Sequence, residues 1–465
     1  MKQTIESWKP RLPHKCELSV EDVRTVQREL SLFIAEFHPA FGRVEQKGLF
    51  ELHLQGLLSD AERKNMEAIV LKLEGPDRVR SLQRFMSHSP WDDAWMRERH
   101  LELVAESLSH PRGVICVDAS EFPKKGKESV GVAPQYCGRL GKTAHCQSGV
   151  FIGYSSPAGH ALLDGRIYLP KGWFEPESKE RWELCRIPEG TTFKTKQVIA
   201  LELLKPILES GQFSGNWLTF DSSFGNNDGL LNELPADCLY LGEIACTRKV
   251  WIKNAGTHPN LAAQGCTVDH LLKVKPLLHW HTHRVNEGDK GPIVASFARI
   301  RVYMNAQRTP ESERWLLLRN DASQDIKYAL SNAPQKTSLK ELVRVSGARW
   351  PIERCFQEGK SELGLDHYEH RSWPAWHRHV RLVFLAQLFL VRLQIKFQKK
   401  APALTLPQAR FLLEGSFPHP KGEDTYRLLL VRYHQKRNDQ AYRSHRKRTL
   451  QRLKTWKSLE VSLAC

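Results

Sequence analysis

Apolar residues recur at helical spacing through the first 110 positions. In LLSDAERKNMEAIVLKL, 57–73, they return every three or four residues behind a capping pair, Ser59 with Glu62. In SHSPWDDAW, 87–95, Ser89 offers an N-cap and Pro90 a first helical position. Residues 1 to about 110 therefore read as an all-helical unit. The period changes at 113. GVICVDASEFPKKG carries a continuous apolar run, 114–117, that ends on Asp118 and predicts a buried strand. Further strands are expected at 144–155 and 160–169, parted by the turn-rich SSPAG. TKQVIALELLKPILESG predicts an amphipathic helix closed by Gly211. A strand at 217–220 leads into Asp221, a short helix is expected at GLLNEL, and CLYLGEIA, 238–245, is the next strand.

The order β-β-β-α-β-α-β suits a mixed sheet, with three meandering strands on one side and the later strands on the other. The first and fourth strands are then neighbours, about 4.8 Å apart. Strand order reverses between them, where open α/β sheets bind ligands. Asp118 and Asp221 stand at the expected C-terminal ends of these two strands. Carboxylates held that close repel, and each takes up a proton unless a cation lies between them. A divalent metal meets that need.

Residues 247–335 interrupt the pattern with the strand-like pieces RIRVYMNA, ERWLLLRN and DIKYALSNAP, and read as a β-rich insertion. From 338 the chain is helical again. Ser338 with Glu341 caps a helix closed by Gly347, and Pro351 opens another that runs to about 363, before Gly364. On that helix Glu353 and Lys360 are seven residues apart and share a face, with Arg349 just ahead. Ile352, Cys355, Phe356 and Leu363 supply the apolar face. A Glu near a helix N-terminus is favoured as the anion, which suits a metal ligand. Asp228 rivals Asp221, and Glu358 and Glu362 rival Glu353. Only Asp221 directly follows an apolar strand, and only Glu353 fits the Arg and Lys spacing.

Lys plus Arg number 69 against 52 Asp plus Glu, a net charge of +17 that favours a polyanionic partner, nucleic acid first. In PKKGK, Lys124 and Lys125 follow Asp118 closely and are candidates to grip DNA. Ten Lys or Arg lie between 432 and 457 against one acid, Asp439, which reads as a phosphate-facing or disordered tail. HWHTH, 279–283, alternates three His as zinc ligands can, but no fourth ligand is evident, and phosphate contact or a surface position is expected instead. Trp251 and Trp280 are expected in the core, with stacking on a flipped base as the alternative. The ten cysteines show no CxxC and read as reduced thiols of a cytosolic protein. MKQTIESWKPRLPHK has no apolar signal core, and the longest apolar stretch, 382–391, is too short to cross a bilayer. A soluble, cytoplasmic protein with no membrane partner is expected.

Asp118, Asp221 and Glu353, at separations of 103 and 132 residues, and the Arg-x3-Glu-x6-Lys pattern of Arg349, Glu353 and Lys360 resemble a DDE transposase of bacterial insertion sequences. LLSDAERKN, SLQRFMSHSPW, FPKKG, KGPI, LSNAP and ELGLDHYEHRSW are similar to the subgroup with a β-rich insertion. One departure is Ser346, where relatives often carry a Tyr three residues before the Arg. The resemblance implies an α/β fold with an RNase H-like mixed sheet flanked by helices. It implies a helical DNA-binding domain at 1–110, a catalytic core at 111–246 and 336–400 split by the insertion at 247–335, and a basic helical region at 401–465. It further implies two Mg2+ ions, replaceable by Mn2+, held by the three carboxylates, with Arg349 and Lys360 on phosphates. The reaction implied is cleavage at transposon ends and strand transfer into target DNA by a homodimeric synaptic complex. The alternatives are a transposase-derived DNA-binding protein that no longer cuts and an RNase H-fold nuclease.

Overall fold

A computed structural model of the chain describes residues 16–252, 264–272, 278–288, 291–321, 326–414, 417 and 424–463. The stretch 1–15, read against a signal peptide, and Cys465 lie outside them. Five α-helices open the described chain: α1 (Val20–Ala35), α2 (Val44–Leu58), α3 (Met66–Leu73), α4 (Val79–Ser87) and α5 (Asp93–Leu108). Two of the expected starts move. Ser59 closes α2, its hydroxyl donating to the Gly56 carbonyl at 2.8 Å. Beyond it the chain folds around the buried Lys64 ammonium, which donates to the Leu57 and Ser59 carbonyls, so α3 begins only after Asn65. Asp92, rather than Ser89, caps α5 by accepting from Trp95 N at 2.9 Å.

Strands follow as β1 (Val114–Pro123), β2 (Ala133–Cys137), β3 (Lys142–Ser156) and β4 (Gly159–Tyr168), then helix α6 (Lys196–Glu209), β5 (Trp217–Phe220) and β6 (Leu239–Ile244). Later come β7 (Lys249–Val250), β8 (Cys266–Thr267), β9 (His281–Gly288), β10 (Gly291–Tyr303), β11 (Glu313–Asn320) and β12 (Ile326–Ser331). Among the described residues ten strands make one mixed sheet in the order β2-β3-β1-β5-β6-β12-β11-β10-β9, with β4 paired to β3. Only β1–β5 and β5–β6 are parallel.

Three features depart from the pattern along the chain. β1 does not stop at Asp118: the long β3 pairs with it as far as Pro123, and only its parallel pairing with β5 ends, at Val117 opposite Phe220. β2, unexpected in a polar stretch with Pro134, is tolerated because it is an edge strand. The strands within 247–335 are not a sheet of their own, since β12 pairs with β6 and carries β11, β10 and β9 onto the core sheet; only the short β7–β8 pair stands apart. Ile244, Val250, Val268, Leu271, Val302, Leu316, Leu318 and Leu330 form a second, smaller core against this extension.

Helices α7 (Leu339–Gly347), α8 (Trp350–Ser361), α9 (Trp373–Phe397), α10 (Leu406–Phe411) and α11 (Asp424–Leu463) complete the chain. α9 packs on β4 and is buried along the whole run from Leu382 to Val391. No described helix is long and apolar enough to cross a membrane. The basic 432–457 stretch lies in α11, a continuous helix of 40 residues. The Tyr433 hydroxyl donates to Glu67 at 3.0 Å, and Arg437 pairs with the same carboxylate at 3.3 Å, which ties α11 to α3. The nine described cysteines are free thiols, all buried except Cys16 and Cys246.

Candidate active site

The parallel register explains how one site is assembled from distant segments. Val117, Phe220 and Gly242 stand side by side on β1, β5 and β6, and one residue further along each strand lie Asp118, Asp221 and Glu243. Carboxylates thus follow one another across three adjacent strands. The same row continues through Ala329, Leu317 and Arg299 on β12, β11 and β10.

Asp118 is 8% exposed; its Oδ1 accepts from Ala119 N at 2.7 Å. Burial, then the neighbouring Asp221 charge, push its carboxyl up to about 7, against the pull of Arg349. Asp221 leaves the end of β5 as the N-cap of a short helix, Ser222–Gly225. Its Oδ1 accepts from Ser223 N at 3.0 Å, Ser223 Oγ at 2.7 Å and Phe224 N at 3.2 Å. That turn rests directly on β6: a Cβ on Gly225 would lie 2.4 Å from the Glu243 carbonyl oxygen, so glycine is required for the contact.

Glu353 arrives on α8, which lies over β1, β3 and β4. Ile352, Cys355, Phe356 and Leu363 are all buried, and a Cβ on Gly153 of β3 would meet Ile352 Cδ1 at 3.0 Å. Phe356 packs on Phe151 of β3 with ring centroids 5.2 Å apart. The buried face turns Glu353 toward Asp118 and adds its charge to the pressure on that carboxyl.

Arg349, the N-cap residue of α8, does not reach into solvent. Its Nη1 lies 3.2 Å from Asp118 Oδ2, its Nη2 2.6 Å from Glu353 Oε1 and its Nε 3.1 Å from Glu243 Oε1. The side chain is 15% exposed, and these carboxylates hold its pKa above the usual arginine value in spite of burial. Lys360 stands on the same side two turns on. It donates to Ser120 Oγ at 2.8 Å and the Glu121 carbonyl at 3.3 Å, and lies 5.2 Å from the Phe122 ring centre. Burial lowers its pKa.

The rival carboxylates are engaged elsewhere. Asp228 pairs with Arg248 through both oxygens at 2.6 Å, Glu358 with Arg354 at 2.8 Å, and Glu362 with Arg410 at 2.9 Å. Lys124 is half-buried, donates to the Tyr368 carbonyl and lies 5.1 Å from that ring, with burial lowering its pKa to about 8. It is held by the fold rather than extended, whereas Lys125 is exposed. His281 and His283 lie on β9, His279 ahead of it. Trp280 is 39% exposed, contrary to the expected core position, because it precedes an outermost strand of the sheet. Trp251 is half-buried, with Lys249 at 5.3 Å. Glu243 was missed in the sequence: it sits inside an apolar strand, and only its alignment with Asp118 and Asp221 across the sheet reveals it.

Asp118, Asp221 and Glu353 offer only oxygen donors, a hard ligand set that fits Mg2+ or Mn2+ better than zinc. Burial first and the neighbouring Asp221 charge second favour the protonated form of Asp118, and a cation held beside it would favour the carboxylate instead. Among the described residues no three His, Cys, Asp or Glu are already drawn into a metal cage. The Arg349 guanidinium lies among the carboxylates instead.

Residues 36–275 match a family described as DDE superfamily endonuclease. A probable transposase for insertion sequence element IS701 from Microchaete diplosiphon is 32% identical over 335 residues, covering 70% of this chain and 76% of the relative. A piggyBac transposase, solved as a synaptic complex with hairpin DNA, is 11% identical over 88% of this chain and 82% of its own. Its TM-score is 0.39.

Proposed function

The chain belongs to the DDE superfamily of endonucleases, with an insertion-sequence transposase as a homologue, and from that premise we propose that it is a metal-dependent DNA transposase. In this reading an RNase H-like core cuts the ends of its element and joins them to target DNA. The observation that carries it is the convergence on Asp118: a buried carboxyl with Asp221 and Glu353 as charged neighbours, three oxygen ligands supplied by β1, β5 and α8.

Asp118, Asp221 and Glu353 would hold two Mg2+ or Mn2+ ions, which supply activation of an attacking hydroxyl and charge for the leaving oxygen of an in-line displacement. The chain's own groups do the rest. Ser223 N, Ser223 Oγ and Phe224 N fix the Asp221 carboxylate in one orientation. Lys360, half-buried beside β1, supplies a cation for a backbone phosphate, and exposed Lys125 a second. The DNA partner is supported by the net charge of +17 and by the exposed Arg432, Lys436, Arg437, Arg443, Lys447 and Arg448 of α11. Cutting two ends together calls for a homodimer at synapsis.

The test is incubation with Mg2+ and labelled DNA bearing the ends of the element, beside Asp118→Asn, Asp221→Asn and Glu353→Gln. Wild type should cleave at the ends, and each variant should lose at least about a thousandfold in rate while still shifting the DNA. Cutting retained by any variant removes that residue from the site. Binding without cleavage by the wild type would favour a DNA-binding descendant that no longer cuts.

A further inference from the structure

Glu243 has a geometry that the three-carboxylate reading leaves unused. It stands in the row of Asp118 and Asp221, one strand beyond β5, and its Oε1 lies 3.1 Å from Arg349 Nε. The other two nitrogens of the same guanidinium meet Asp118 and Glu353. Arg349 thus bridges two of the proposed metal ligands and one carboxylate outside that set. A guanidinium keeps its proton under all ordinary conditions, so it cannot make room for a cation by becoming neutral. It must stay near Asp118 and Glu353 and repel the incoming charge, or have an anion of its own.

We infer that Glu243 is a positioning residue that seats the Arg349 guanidinium, releasing Asp118 and Glu353 to a divalent cation. This rests on the metal-site reading proposed above. Three observations carry it. First, Glu243 is held in place by backbone contacts: Ala329 pairs with it from β12, and the Gly225 turn abuts its carbonyl. Second, Arg349 is the N-cap residue of α8 and its side chain makes no capping bond to that helix, so its guanidinium is committed to the carboxylates. Third, Glu243 grips Nε while the two terminal nitrogens hold the ligands, so both ligand contacts can open while the Glu243 contact remains. Paired, Glu243 and Arg349 are neutral, and the triad alone meets the metal.

The experiment is titration of the DNA-free protein with Mn2+, read from the paramagnetic resonance signal of the free ion. Glu243→Gln keeps shape and removes charge, leaving Arg349 with only the ligands as partners. Mn2+ should bind about tenfold more weakly, the range of other residues that orient metal ligands. In Arg349→Gln, where no competing cation remains, adding Glu243→Gln should cost nothing further. Two results overturn the inference: unchanged affinity in the Glu243→Gln variant, or the same loss in the Arg349→Gln background, which would make Glu243 itself a ligand. Melting in EDTA confirms that each variant is folded. Wild-type binding that Asp118→Asn does not weaken would instead remove the metal-site reading, and the inference with it.

Discussion

The sheet has two halves that share a backbone and differ in how they treat charge. Along one row, β1, β5 and β6 carry Asp118, Asp221 and Glu243, and the same row on β10 ends in Arg299. In the outer half Arg299 and Arg301 are held by ring, carbonyl and carboxylate partners. Arg299 donates to the Thr337 carbonyl and lies 4.2 Å from the Trp315 ring centre; Arg301 lies 4.9 Å from the same ring and pairs with Glu313 at 2.9 Å. In the inner half three carboxylates, Asp118, Glu243 and Glu353, share one guanidinium, and the Asp221 charge adds to the pressure on Asp118. Buried like charges that perturb a carboxyl are common at functional sites, which is what makes the inner half the candidate site.

The comparison can be broken most forcefully at Trp315, which is 8% exposed and donates to the Pro334 carbonyl at 3.1 Å. Trp315→Ala should cost about 3–5 kcal/mol in urea unfolding while Mn2+ binding survives. A lost metal site with unchanged stability would mean the halves are not separable. Next in size is Gly242→Ala, whose Cβ would lie 2.8 Å from Gly225 Cα. It should cost about 1–3 kcal/mol and also weaken metal binding, because the turn orienting Asp221 must shift.

A subtler effect is the pH dependence of the inner half. Asp118 is raised from 3.8 to about 7 in the folded protein, so its contribution to stability is complete below the lower value and lost as pH rises through the upper one. In EDTA the Tm of wild type should therefore decline from pH 5 to pH 8 relative to Asp118→Asn. Mg2+ binds the ionised carboxylate, so the Tm increment it gives should grow over the same interval. Parallel curves for the two proteins would remove the proposed strain at Asp118. The smallest change is expected for Asp228→Asn, an exposed carboxylate paired with half-buried Arg248, where stability should move by under about 1 kcal/mol and cleavage not at all.

Much of the inner half was legible along the chain. The apolar runs ahead of Asp118 and Asp221 signalled the buried strands β1 and β5, though β1 runs on past Asp118, and the caps at Ser338 and Gly347 delimited the helix before α8. Less legible were elements whose cause is a distant partner. The extension of β1 to Pro123 depends on the length of β3, and β2 exists because β3 offers it an edge. Lys64 drew the start of α3 away from Ser59, since a buried ammonium recruits whatever carbonyls are near.

Sequence alone determined the existence of β1, β3, β4, β5 and β6 and the basic character of the C-terminal region, and proposed the candidate triad, because periodicity, apolar runs and net charge are local sums. Tertiary structure decided what lies beside what. It joined β9–β12 to the core sheet through β12, set Glu243 in line with two aspartates, and turned Arg349 inward onto three carboxylates. Register between strands and the meeting of charges from residues 118, 243 and 349 are properties of packing, which no spacing along the chain encodes.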